Sequence, residues 1–427
     1  MNGAASLRSA LEPVLPLAER LFREIGDRTW DGDGICRAPY GSGEQIAADV
    51  LAAAAGQLRL EVKTDWAGNL YMTLPGTDPG VAPYLVGSHL DSVPRGGNFD
   101  GLAGIVAGLV SIAALQSSEI QPCHGITVMG IRAEENAWFG AQHVGSRLAL
   151  GTFEASLLDS TRRIDTDRTL GEHIAEAGFD VGPLQRGEHY LAADLIKSFI
   201  ELHIEQGPVL ESRELPIGIV TGIRGNLRCG DCVCVGAYDH SSTVPKELRK
   251  DAVVAAAELV AEMDRLWDTW LADGKDLVLT FGQFGTDRNA HSITTIPGEV
   301  RFSFDARCHS NEILADLKSE LLSRAEKIGQ RRGVTFRFGR FSQGEPVQMA
   351  DALRRRLVAG ATELGLPFLE MPSGAGHDAA DFALAGVPTA MIFVRNANGS
   401  HNPAEAMQID DFAVGVELLL WLLTRPD

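Results

Sequence analysis

Four stretches of this chain place histidines and carboxylates where a cation or a proton can be handled. The first runs Gly87-Ser88-His89-Leu90-Asp91-Ser92 and closes on Gly97-Asn98-Phe99-Asp100-Gly101, presenting His89, Asp91 and Asp100. The second, Arg132-Ala133-Glu134-Glu135-Asn136, sets two acids side by side. The third, Glu201-Leu202-His203-Ile204-Glu205, alternates so that both acids share a face with His203. The fourth, Gly399-Ser400-His401-Asn402-Pro403, adds His401. Imidazole and carboxylate are ligands for a divalent metal, and Asp91, two residues from His89, can hold that ring's other nitrogen. Adjacent acids beside a metal divide the labour, one ligating and one moving protons. Any one stretch can also be a polar turn or a structural histidine. Their repetition is what points to a site.

Each stretch follows an apolar run that reads as a buried strand: Tyr84–Val86, Gly125–Ile131, the strand from Phe199 that carries His203 itself, and Thr389–Val394. Ligands of open α/β sheets collect at the carboxyl ends of strands. A helix Leu102–Leu115 follows the first loop. Before it, Val14, Leu17, Leu21 and Ile25 make one face of a helix over 14–25, with Pro16 tolerated in its first turn. A helix through Ala47, Leu51 and Ala55 and strands over 58–62 and 69–74 come next, and 143–198 reads as mostly helical with loops near Asp165 and Gly182.

From about Ile217 the texture changes. Strands over 219–235, 277–284, 300–307 and 334–341 alternate with helices over 244–270 and 311–330, the β-α-β-β-α-β order of a split βαβ sandwich. Gly218 and Gly344 bracket it. The fold expected is α/β: a catalytic unit of residues 1–217 and 344–427 with a mixed central sheet, and an inserted α+β unit, 218–343. The helix over 350–364, the loop Ser373-Gly374-Ala375-Gly376-His377-Asp378-Ala379 and a last helix through Val414 and Leu420 complete the outer unit.

At 427 residues the chain is too long for one simple core. A net charge of −19, with Arg354-Arg355-Arg356 the longest basic run, argues against nucleic acid and anionic membrane as partners. No run approaches the ~20 apolar residues of a membrane span, and the N-terminus has no charged-then-apolar leader; a cytoplasmic protein is expected. Six cysteines make no disulfide framework in a chain this long. Cys229, Cys232 and Cys234 lack a fourth soft ligand and read as buried strand cysteines. Three histidines with carboxylates and no thiolate favour zinc, manganese, cobalt or nickel. They exceed the needs of one catalytic zinc and suit two bridged cations, an arrangement used for hydrolysis.

The motifs around His89, Asp91 and Asp100, Glu134-Glu135, Leu202-His203-Ile204-Glu205-Gln206-Gly207-Pro208-Val209-Leu210-Glu211, Gly376-His377-Asp378-Ala379 and Ser400-His401-Asn402-Pro403 closely resemble those of the M20 metallo-hydrolases. Within that group they resemble the hydantoinase/carbamoylase branch, which holds N-carbamoyl-L-amino acid hydrolases, β-ureidopropionases and allantoate amidohydrolases. The resemblance implies that Asp100 bridges two metals, His89 and His203 completing one site and Glu135 and His401 the other. It makes Glu134 the general base and Asp91 the residue that orients His89. It assigns His240 to the oxyanion of a partner subunit's site, and Gln206, Arg307, Gly376 and His377 to substrate, with Arg307 suited to a carboxylate.

Three stretches depart from the branch: Thr294-Thr295 stands where an Asn usually contacts substrate, leaving Thr294 and the upstream Asn289 as candidates. Asn136-Ala137-Trp138-Phe139 replaces Gly-x-Arg-Phe, and Ser241-Ser242 follows His240. These bear on substrate identity. The activity implied is hydrolysis of the C–N bond of an N-carbamoyl (ureido) L-amino acid, with an aminoacylase or peptidase acting on an N-acyl amide as the alternative. A binding protein on a dead hydrolase scaffold would have lost the base or a ligand, and neither is lost. The edge strand of a split βαβ sheet also implies a homodimer joined through the inserted unit.

Overall fold

The apolar runs that precede the chemical stretches become neighbouring strands of one sheet. The computed structural model describes residues 3–425. Its first sheet contains β1 (Glu61–Thr64), β2 (Leu70–Leu74), β3 (Tyr84–His89), β4 (Ile126–Ile131), β5 (Ser198–Ile204), β6 (Ile217–Ile223) and β7 (Thr389–Val394). Across the sheet the order is β1-β2-β4-β3-β5-β7-β6. The central four, β4, β3, β5 and β7, run parallel; β1, β2 and β6 are antiparallel to their neighbours. The sheet is mixed, as expected. Every residue of the central four is buried, which is why they read as nearly continuous apolar runs. Parallel neighbours end at one edge, so the chemical loops meet there.

Helix α1 (Leu15–Thr29) has Pro16 in its first turn and buries Ala18, Leu21, Phe22 and Ile25. Helix α2 (Ser42–Gln57) follows, and α3 (Leu102–Ser117) is buried at every residue from Leu102 to Leu115. It packs against β3, β5 and the last helix, α4 (Ile409–Thr424). A helix covered on all sides has no polar face to show, hence its Gly/Ala/Val/Leu composition. Gly101, at φ +69°, turns the metal-loop candidate into α3; a Cβ there would lie 2.5 Å from His89 Nδ1. The expected strand over 58–62 starts later because Leu58 closes α2, its N–H donating to Ala54. The segment 143–198 is less helical than expected. It forms short helices Val144–Ala149, Leu157–Ser160, Leu170–Glu176 and Val181–Gln185, and Gly182 lies inside the last, which Asp180 caps.

The chain divides into two compact units, one of residues up to Thr221 with those from Met349, the other Gly222–Gln348. The boundaries differ from Gly218 and Gly344. The expected strand over 219–235 is two strands: β6 pairs with β7 in the first sheet, and Gly225–Val235 begins the second. On the return, Ser342–Gly344 still pairs with Asn226–Arg228. The second sheet runs Phe284–Thr286, Glu299–Cys308, Gly225–Val235, Thr335–Phe338, all antiparallel. Helices Ala252–Ala272 and Asn311–Arg332 supply the rest of its core, with Leu259, Met263, Leu317 and Leu321 buried against Phe302 and Phe304. The first of them starts later than Val244. Pro245 precedes only a 3-10 turn, and Asp251 caps the helix proper by accepting from the N–H groups of Val253 and Val254. Cys229, Cys232 and Cys234 are free and buried. Among the described residues no helix is long and apolar enough to cross a membrane.

Candidate functional site

Where the central strands end, histidines and acids from all four stretches converge on Asp100. Its Oδ1 lies 3.6 Å from His89 Nε2 and 3.2 Å from His203 Nε2; its Oδ2 lies 3.2 Å from His401 Nε2. His401 Nε2 is also 3.0 Å from Glu135 Oε1. Ligand atoms within 4.8 Å of one another group His89, Asp100 and His203; Asp100, Glu135 and His401; and His89, Glu134 and Glu135. Asp100 belongs to the first two of these groups, one on each of its oxygens.

The donor set fits cations. His203 Nδ1 donates to the carbonyl of Ile204 over 2.8 Å, and His89 Nδ1 to that of Asp91 over 3.1 Å. Each ring therefore turns a lone pair inward at Nε2, and the two Nε2 atoms face each other across 3.4 Å beside a carboxylate. Acceptors crowded on acceptors require a positive charge between them. Protons answer that need in the metal-free protein. Burial by itself lowers the imidazoles of His89 and His203, but the surrounding carboxylates, Asp100 with Glu134 and Asp91 for His89 and Asp100 with Glu201 for His203, together hold both above their ordinary value. Hydrogen bonds to Asp100 and Glu135 raise His401 to about 10. Burial works to raise the Asp100 carboxyl, yet the three histidines hold it well below the usual range.

The scaffold beneath is polar and buried. The His89 ring is held by the main-chain carbonyl of Asp91 and not by its carboxylate as expected, the carboxylate Oδ1 lying 3.6 Å from Nδ1. The carboxylate oxygens instead accept the main-chain N–H of Glu134 and of Glu135, at 3.0 and 3.1 Å. Glu405 Oε1 accepts from the N–H groups of Phe99 and Asp100. Arg37, fully buried, donates to the carbonyls of Leu90 and Asp100. Arg132 is locked to Glu44 at 2.6 Å, and Glu44 also accepts from the N–H of Ala133. Left-handed backbone recurs here: Ala133, His143, Gln206 and His401 have φ between 54 and 61°, a conformation that costs energy for non-glycine residues and clusters at functional sites.

Other expected residues are placed as follows. Gln206 Nε2 lies 3.1 Å from both Asp100 oxygens, and its Oε1 is buried without a partner. His377 is buried behind His203, ring centroids 4.5 Å apart, with Nε2 at 2.9 Å from Ser373 Oγ. Gly376 faces His143. Glu201 accepts from Ser88 and from the N–H of Ala379, and Glu205 caps Val209–Ser212, so neither shares in the Asp100 cluster. Trp138 donates Nε1–H to Ser92 under the Arg163 guanidinium.

His240, Asn289, Thr294 and Arg307 belong to the second unit. His240 pairs with Thr295 in a two-stranded ladder, and its Nδ1 accepts from the Ser242 N–H at 3.1 Å. The Thr294 carbonyl accepts from Ser241. Asn289 lies in an exposed turn on Asp287, and Arg307 Nε donates to Asp305 at 3.1 Å. Glu405, His143 and Asp381 join the site without having stood among the candidates in the sequence. Glu405 follows His401 closely enough to have been suspected; the other two carry no motif.

Residues 85–425 match the model of peptidase family M20/M25/M40. The N-carbamoyl-L-amino acid amidohydrolase of Geobacillus stearothermophilus is 33% identical over 400 residues, covering 92% of this chain and 94% of its own. The allantoate amidohydrolase of Escherichia coli strain K12 is 34% identical over 373 residues, covering 85% and 86%. Among solved structures, an amidase of the hydantoinase/carbamoylase family from Burkholderia multivorans matches with a TM-score of 0.86 at 28% identity, over 95% of this chain and 97% of that one. With its strand-end cluster and a match spanning both units, the chain belongs to peptidase family M20/M25/M40, on the side that holds the carbamoyl-amino-acid and allantoate amidohydrolases.

Proposed function

We propose that the protein is a metal-dependent amidohydrolase that cleaves the C–N bond of an N-carbamoyl (ureido) L-amino acid. The observation that carries this reading is the pair of acceptor groups sharing Asp100, in a chain whose relatives carry amidohydrolase names. His89 and His203 would hold one divalent cation, Glu135 and His401 the other, and Asp100 both, with zinc, manganese, cobalt or nickel suited to the donors. Bound there, the cations would lower the pKa of water and polarise the ureido carbonyl.

The chain's own residues do the rest. Glu134 takes a proton from the attacking water and hands it to the leaving nitrogen. Gln206 Oε1 is an acceptor for a ureido N–H. His240 accepts at Nδ1, so Nε2 carries the hydrogen and can donate to a developing oxyanion. Arg307 has the fork geometry for the substrate carboxylate, and Asn289 and Thr294 are further polar candidates for substrate contact in the same unit. The inserted unit ends in the edge strand Phe284–Thr286 with Phe284 exposed, which supports a homodimer joined through it. The enzyme works in the cytoplasm.

The test is product analysis. Protein loaded in turn with each metal is given N-carbamoyl- and N-acyl-L-amino acids. Free amino acid with ammonia and carbon dioxide from the carbamoyl series supports the reading. Carboxylic acid from the acyl series alone replaces it with an aminoacylase.

A further inference from the structure

Glu134 touches a histidine that no motif announced. His143 Nε2 lies 3.2 Å from Glu134 Oε1, and on the far side of the ring Nδ1 lies 2.5 Å from Asp381 Oδ2. The backbone pins the ring in place. His143 is left-handed at φ 54°; its N–H donates to the Glu134 carbonyl over 2.7 Å, and the N–H of Val144 to that of Ala133. Gly376 makes room, since a Cβ there would lie 3.2 Å from Nε2. Asp381 sits on helix Asp378–Leu384, which is tied to Val144–Ala149 a second time by Ser146 Oγ donating to Asp378 Oδ1 over 2.5 Å.

We propose that His143, aligned by Asp381, is a positioning residue for the base: it holds Oε1 of Glu134 and leaves Oε2 to take the water's proton. This rests on the reading of Glu134 as the base. A ring that merely filled space would need no carboxylate on either nitrogen, and here both nitrogens face one, from segments 238 residues apart for His143 and Asp381. An N–H on Nε2 donates to Oε1 whether or not Oε2 carries a proton. The carboxyl therefore keeps one orientation through the transfer, and the reorganisation that a free side chain would undergo is avoided.

The experiment compares His143→Ala, His143→Gln, Asp381→Asn, Glu134→Gln and the double variant His143→Ala/Glu134→Gln, all metal-loaded, on an N-carbamoyl-L-amino acid. Losing a hydrogen bond to a charged group should lower kcat about ten- to hundredfold in His143→Ala, with KM and metal content unchanged. His143→Gln, whose amide can reach the same place, should recover part of the loss, and Asp381→Asn should show a smaller one. The double variant should be no slower than Glu134→Gln alone, because His143 acts through that carboxylate. An unchanged kcat in His143→Ala, or losses that multiply in the double variant, would overturn the proposal. If His143→Ala does not fold, an Asp381→Asn variant with full kcat overturns it equally. Retained turnover in Glu134→Gln would instead remove the base reading on which it stands.

Discussion

Nε2 of His203 stands 3.4 Å from Nε2 of His89 with both rings' Nδ1 atoms already committed to carbonyls. In the metal-free protein that crowding is relieved by protons, and His401 is raised to about 10 for a related reason. Metal uptake must then expel protons even at pH 8, where an ordinary imidazole, near 6.5, has none to give. Calorimetric titration of the chelated protein with zinc, in buffers of different ionisation enthalpy, should show heats that depend on the buffer. Buffer-independent heats at pH 8 would contradict this. The sign for stability follows. A folded-state pKa above the unfolded one stabilises fully below about 6.5, and the gain is lost as pH rises through about 10. Chelated protein should therefore melt lower toward alkaline pH, and metal should offset that fall.

Glu134 and Glu135 are neighbours to which the proposed mechanism gives separate tasks. Glu134→Gln should retain both metals while losing about 10²–10⁴-fold in turnover, the usual worth of a positioned base. Glu135→Gln should lose metal first. Elemental analysis beside steady-state kinetics checks both, and equal metal content in the two variants would argue against the division.

The Arg132–Glu44 pair is buried and closes the strand end just before Ala133. Removing one partner strands the other's charge, so Glu44→Ala should cost about 3–5 kcal/mol of stability. A denaturant midpoint close to that of the unaltered protein would show that the pair is solvated or replaceable.

His240 lies in the inserted unit and is proposed to serve the site of a partner subunit. Inactive His240→Ala and Glu134→Gln dimers, mixed under subunit exchange, should regain part of the activity, because one site of the mixed dimer holds both groups. No recovery despite demonstrated exchange would place His240 in its own chain's site or outside the reaction.

The motif residues were legible before folding because of where they stand. His89, Glu134 and Glu135, and His401 follow buried runs, and a run buried on both faces must be apolar throughout, so a polar residue at its end is conspicuous. Alternation alone could not say which acids beside His203 join the cluster. Glu201 and Glu205 share its face by pattern, yet Glu201 is taken by Ser88 and Ala379 and Glu205 by a helix terminus. The unit boundary was displaced for a similar reason. One continuous β-rich stretch from Ile217 to Val235 belongs to two sheets, and only pairing partners distinguish them. His143 and Asp381 lay outside any pattern because their meaning is a distance. Hydrogen-bond partners are chosen by side chains that meet across the fold, and sequence spacing carries no record of which helix will end beside which loop.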